Sequence, residues 1–268
     1  MFFKKKDKKK EKKHPIKEFF ASLTFALVIA GFIRTFTFEP YAIPSGSMFP
    51  TMLIGDYLYI SKAAYGYSKY SFPFIYPDFI KGRFMADMPE RGDVVVMKVP
   101  GNVEINYIKR MIGLPGDRIQ VKKGILYING EATPQERIED YIERMPSGRT
   151  KKTPQFIETL PNGKRHLILR EDVDGQQNAD NTKEFIVPEG HFFVMGDNRN
   201  NSRDSRVGLG FIPYDHLLGP AKFTFFSIEN SVWDLIKVHK WPEIIRFDRI
   251  FSGIDYSVNR IDEKNGRS

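Results

Sequence analysis

At 268 residues the chain has material for one large or two small packed domains, and with no cysteine it excludes disulfides, thiolate metal sites and a cysteine nucleophile. Its formal charge of +8 invites a nucleic-acid reading, but nine lysines against Asp7, Glu11 and Glu18 place +6 within the first 18 residues. The remaining 250 residues carry only +2, which leaves no basic surface for nucleic acid, while 23 Phe and 12 Tyr favour strands.

The segments in chain order begin with the lysine-rich tail, 1–18. Residues 19–38 read FFASLTFALVIAGFIRTFTF, 20 residues that as a helix span about 30 Å, the thickness of a bilayer's hydrocarbon. Arg34 lies near one end, where its stem can carry the charge to the headgroups. The lysines predict a cytoplasmic N-terminus, with everything after residue 39 outside. A cleaved leader would need a small-x-small site after the apolar run, and Arg-Thr-Phe-Thr-Phe-Glu-Pro offers a poor one. A buried core helix fits badly behind so many lysines, so one uncleaved transmembrane helix over 19–38 is expected.

Pro40 and Pro44 then enforce extended backbone before Ser45-Gly46-Ser47. Leu53 to Ile60 reads as a strand. The aromatic stretch 65–80 either dips into a membrane interface or packs beneath a sheet. Val94–Val99 and Val103–Ile112, joined by Pro100-Gly101-Asn102, form the strongest hairpin signal; Arg118–Val121 and Ile125–Ile128 follow, the latter before an Asn129-Gly130 turn. Residues 131–183 are polar and read as a peripheral β-rich insertion containing the strand His166–Leu169. Apolar strands return at Glu184–Val187, His191–Met195 and Ala221–Phe226, before a short helix near Val232–Val238 and a polar tail, 255–268, expected to fray. The pattern is mostly β, a core in two parts (39–130 and 184–254) around the insertion, with no βαβ rhythm.

Three constellations carry chemistry. In Ser45-Gly46-Ser47 the glycine permits close approach to a hydroxyl. On a strand Lys109 shares a face with Ile105, Tyr107 and Met111; if that face is packed, desolvation disfavours the ammonium, and a neutral amine can take a proton from a serine. The loop Gly196 to Arg206 is dense in Asp, Asn, Arg and Ser able to hold one another rigid by charge-assisted bonds. Read separately, the same residues are a silent turn, a surface lysine and a solvent loop.

Together PSGSMFPTM, RGDVVVMKVP, YIKRMIGLPGD and GDNRNNSRDSR resemble the motif boxes of bacterial type I signal (leader) peptidases, over most of residues 39–128 and 184–222. The resemblance implies Ser47 as nucleophile and Lys109 as general base. It gives Ser45, with the Ser47 amide, to the oxyanion, and Ser202 to orienting Lys109. Asp197, Arg199, Asp204 and Arg206 match structural, salt-bridging positions, and Met48 and Pro50 flank the nucleophile. It further implies a mostly β fold with a signal-peptidase-like catalytic core and a variable second β region. The implied activity is cleavage of exported preproteins after Ala-x-Ala-like sites, without metal or cofactor. The enzyme would be a monomer on the phospholipid of the bacterial inner membrane, its catalytic domain extracytoplasmic.

Two departures stand out: Asn200 replaces a common Asp, and one membrane pass replaces the two of some members. Competing readings are a Ser–Lys protease that cleaves itself or a regulatory partner, and a non-catalytic anchored protein that binds exported chains. A penicillin-binding enzyme lacks its Ser-x-x-Lys here, and the dispersed histidines (His14, His166, His191, His216, His239) offer no zinc motif.

Overall fold

The computed structural model describes residues 15–72, 76–144, 149–172, 174–229, 236 and 238–264. Most of the lysine-rich tail and most of the helix expected at Val232–Val238 lie outside these residues. The first element is a helix, α1 (Pro15–Phe36), with proline at the position where its missing N–H costs nothing. An 18-residue window, Pro15–Phe32, has a mean hydropathy of 1.5, and none of it is buried against the rest of the chain. The helix ends two residues earlier than predicted because Phe38 is already paired with Ser61 in a sheet.

That sheet organises the molecule. Its strands are β1 (Phe38–Ala42), β2 (Asp56–Ser61), β3 (Val94–Val99), β4 (Asn102–Gly113), β5 (His191–Met195), β6 (Ile212–Pro213) and β7 (Leu217–Ser227). They lie in the order β1-β2-β7-β3-β4-β5-β6, each neighbouring pair antiparallel, with Ser252–Gly253 added to β7. The run Val94-Val95-Val96-Met97 shows why β3 sits near the middle. Val94 and Val96 join Met48, Met52, Leu58 and Ile60 on one face, whereas Val95 and Met97 join Met111, Phe192, Val194 and Leu217 on the other. A strand buried on both faces loses the polar alternation of a half-exposed one.

A second small sheet pairs Phe185–Ile186, Arg118–Lys122, Ile125–Ile128 and Glu131–Ala132 over a core of Ile112, Ile119, Leu126 and Phe193. Residues 131–183 add a three-stranded sheet, Gln135–Arg137, Gln155–Thr159 and Arg165–Leu169, and a hairpin, Tyr141–Arg144 with Thr150–Thr153. This segment is less peripheral than predicted, because Glu158 and His166 are buried against the loop after β5.

The C-terminal tail is also not as predicted. Tyr256–Lys264 is a helix whose Val258 and Ile261, three residues apart on one face, pack with Ile157 and Leu167. Arg165 Nη1 adds a 2.6 Å ion pair to Asp262. The aromatic stretch divides between its two readings. Tyr65 and Tyr67 are buried, donating hydroxyls to Asp93 and to the Phe36 carbonyl at 2.7 Å each, whereas Phe79 stands free in solvent; Phe74 lies outside the described residues.

Candidate active site

Ser47 sits in a single turn of 3-10 helix, Gly46–Met48, entered from an extended Ser45 (φ −137°, ψ 155°). Met48, wholly buried, pins the turn into the core beneath it, and Pro50 is buried directly behind. A side chain at position 46 would press on the Phe49 ring, so the local chain accepts glycine there. The turn thus holds the Ser47 hydroxyl at the floor of a cleft of about 610 Å³.

Lys109 enters that cleft from β4. The strand register fixes its partner, Val95, on β3, and this end of the strand is buried on both faces, Lys109 being 3 % exposed and Arg110 2 %. Its Nζ lies 2.7 Å from Ser47 Oγ and 2.8 Å from the Ile108 carbonyl, with the Tyr107 ring centroid at 5.3 Å. Burial pushes its pKa from 10.5 down to about 8, against the smaller upward pull of Asp204 and Asp197. Both carboxylates are too committed elsewhere to hold the ammonium as a tight ion pair.

Those commitments make the scaffold. Asp197 receives two bonds from Arg110, at 2.8 and 2.7 Å, and one from the Thr51 hydroxyl at 2.5 Å. Burial drives the Asp197 carboxyl upward, but Arg110 outweighs it and the pKa falls. Arg110 faces away from Lys109 because adjacent strand residues alternate. One face of β4 therefore delivers the amine while the other locks the loop. Asp204 takes the guanidinium of Arg206 at 2.8 Å and the Gly196 amide at 3.0 Å, which lowers its pKa against the effect of burial.

Arg199 pairs with Glu158, which also accepts from Gln135 Nε2 at 2.8 Å and Thr133 Oγ1 at 3.2 Å and lies 3.3 Å from His166 Nε2. Burial and the Arg110 charge lower the His166 pKa, while Glu158 is held well below the usual carboxylate range by Arg199 despite full burial. The loop meets the Gly46–Met48 turn directly: the Asn198 amide donates to the Ser47 carbonyl and its Nδ2 to the Gly46 carbonyl, both at 3.1 Å.

The two other serines of the pattern both lie near Ser47. Ser45 lines the cleft, exposed, beside Ser47. Ser202 is close to the site, yet its buried Oγ has no hydrogen-bond partner and makes no bond to Lys109, whose second contact is its neighbour's carbonyl. Asn200 has a clear physical reason. Its Nδ2 donates to Asp180 Oδ2 at 2.7 Å and its Oδ1 accepts from the Glu171 amide at 2.8 Å, a pairing that an aspartate there would replace with two opposed carboxylates.

Sequence reasoning missed Thr51, Arg110, Asn198 and Glu158. Arg110 was foreshadowed by its place beside Lys109, but Glu158 joins Arg199 across 41 residues of chain and carries no local signal. Among the described residues no three His, Asp or Glu side chains converge to hold a metal. The chemistry the cleft supports is attack by a hydroxyl with an adjoining, partly desolvated amine to take its proton.

The family model described as signal peptidase, peptidase S26, matches residues 16–226. Signal peptidase I of Rickettsia typhi is 40% identical over 259 residues, covering 91% of this chain and 96% of its own. Signal peptidase I of Rickettsia bellii is 42% identical over 252 residues, with 88% and 85% covered. A crystal structure of a signal peptidase I from Enterococcus faecalis aligns with 50% of this chain and 97% of its own, at 27% identity and a TM-score of 0.31.

Proposed function

The chain belongs to the signal peptidase family, peptidase S26, and from that premise we propose that it is a membrane-anchored serine endopeptidase that removes signal peptides through Ser47 and Lys109. The observation that carries the assignment is the 2.7 Å approach of Lys109 Nζ to Ser47 Oγ, with the amine buried and its pKa brought down to about 8. In the neutral form the amine accepts the Ser47 proton as Oγ attacks the scissile carbonyl. The oxyanion that forms is met by the Ser45 hydroxyl and the Ser47 amide. The new ammonium then protonates the leaving amine, the acyl ester remains on Ser47, and Lys109 repeats the cycle with water. Asp197, Arg199, Asp204 and Arg206 hold the loop that anchors the turn, and Met48 and Pro50 seat the turn itself. Ser202 stands against Gly196, beside the Ser47 carbonyl, and its role in orienting the amine is part of this proposal.

Substrate selection follows from the walls. Phe49, Ile105 and Tyr107 give the cleft apolar sides next to Ser47, which supports small side chains at the third and first positions before the cut. The substrates are exported preproteins, cut after Ala-x-Ala-like sites. The exposed apolar α1 supports a single membrane crossing, and the lysines before it support a cytoplasmic N-terminus, so the cleft faces the far side of a bacterial plasma membrane. The enzyme acts as a monomer against membrane phospholipid.

The test is detergent-solubilised protein incubated with a preprotein carrying an Ala-x-Ala site, beside Ser47→Ala and Lys109→Ala, the new N-termini being read by mass spectrometry. One cut after the second alanine, absent from both variants, is expected. Undiminished cutting by either variant would overturn the assignment.

A further inference from the structure

On the β1 side of the sheet, apart from Ser47 and Lys109, lies a half-open pocket of about 130 Å³ lined by charged and aromatic side chains. Three cations reach it, Arg34, Lys62 and Lys98, against one carboxylate, Glu39. Glu39 is shared: Arg34 bonds its Oε1 at 3.0 and 3.1 Å, Lys62 its Oε2 at 2.8 Å, and the Tyr41 hydroxyl its Oε2 at 3.1 Å. Lys62, 1 % exposed, completes its bonding on the Ser71 carbonyl at 2.7 Å. Lys98 has no such satisfaction. It is 8 % exposed, and among the described residues its ammonium faces only the Tyr76 ring, 5.3 Å away, with no carboxylate paired to it.

Three cations against one carboxylate leave a positive excess that an entering counter-charge would offset. Burial lowers the Lys62 pKa against the pull of Glu39, and Arg34 and Lys98 lower it further, so the groups sense one another's charge. The volume admits a tetrahedral oxoanion but not a peptide. The position selects the source. Arg34 belongs to the last turn of α1, half-exposed where the chain leaves its long apolar helix, at the level where that helix, read as the membrane anchor, brings phosphate groups.

We propose that the Arg34–Lys62–Lys98 pocket binds the phosphodiester of an anionic phospholipid headgroup. Lys98 supplies the free charge-assisted donor, Arg34 the entrance, and the Glu39–Lys62 pair a rigid floor. Asn106 of β4 lines both this pocket and the catalytic cleft, so a seated headgroup touches the strand that carries Lys109.

The test uses the full chain in detergent micelles, with native mass spectrometry counting phosphatidylglycerol against phosphatidylcholine retained. Lys98→Gln is compared with Lys222→Gln, which removes the same charge from an exposed site on β7. The wild type and Lys222→Gln are expected to prefer phosphatidylglycerol, and Lys98→Gln to lose about tenfold of that preference, as for a buried charge-assisted bond. Equal preference in Lys98→Gln and wild type overturns the proposal, as does an equal loss in Lys222→Gln, which would mark bulk charge alone. Displacement by inorganic phosphate with no selectivity between the lipids would make the occupant a free oxoanion and overturn the headgroup. Preprotein cleavage by the wild type, followed in the same micelles, separates a failure here from a failure of the Ser47 assignment.

Discussion

At the scale of single residues, Lys109 is buried without a strong counter-charge, and the proposed mechanism rests on that. Burial disfavours its ammonium, so deprotonation is half complete near pH 8 rather than 10.5. Cleavage should therefore rise about tenfold per pH unit below 8 and level off above it, read as kcat/KM on a preprotein. Lys109→Arg, whose guanidinium stays charged, should be inactive across that range. The unfolded chain binds the proton more tightly than the folded one between about pH 8 and 10.5, so this lysine makes stability rise with pH through that window.

Asn200 offers a second residue-scale expectation. Asn200→Asp sets a carboxylate against buried Asp180 and should lower stability by about 2 kcal/mol at pH 7, less at pH 4, where one of the pair takes a proton. Thermal unfolding at the two pH values measures it, and an unchanged melting temperature at pH 7 would refute it. Ser47 and Lys109, which the fold brings together, stood out in sequence because each sits in a compact motif with its own turn or strand. The Glu158–His166–Arg199 cluster was not, because its members acquire meaning only when the inserted sheet packs on the loop.

At the scale of elements, the end of β5 approaches the Gly46–Met48 turn closely, and the proposed mechanism requires that approach. Gly196 makes this possible, since a methyl there would overlap both Ser202 Oγ and the Ser47 carbonyl. Gly196→Ala should push the Asn198 contacts off the turn and cost about 10²-fold in kcat/KM, the usual effect of an ångström of misplacement. Activity near wild type, with the fold intact by circular dichroism, would contradict it. The β3–β4 hairpin was readable from its glycine turn and apolar runs. The insertion of β7 between β2 and β3 was not, because pairing between residues more than a hundred positions apart leaves no trace in local pattern. The terminal helix was misread for a related reason: its few apolar residues are sufficient only because Ile157 and Leu167 wait to receive them.

At the scale of the whole molecule, the anchor and the β body are nearly independent in packing. None of the apolar window Pro15–Phe32 is buried on the body. Removing residues 1–32 should therefore move the protein from the membrane to the soluble fraction on centrifugation, with cleavage of a short soluble peptide little changed. Loss of peptide cleavage would show instead that the helix braces the site. The strand order carries a consequence in time. Synthesis proceeds from the N-terminus, so Ser47 and Lys109 leave the ribosome long before Leu217–Ser227, which must enter the middle of the sheet already begun by its neighbours. A nascent chain that already holds both residues of the proposed pair still lacks this central strand, so on that reading cleavage waits until Leu217–Ser227 has been made.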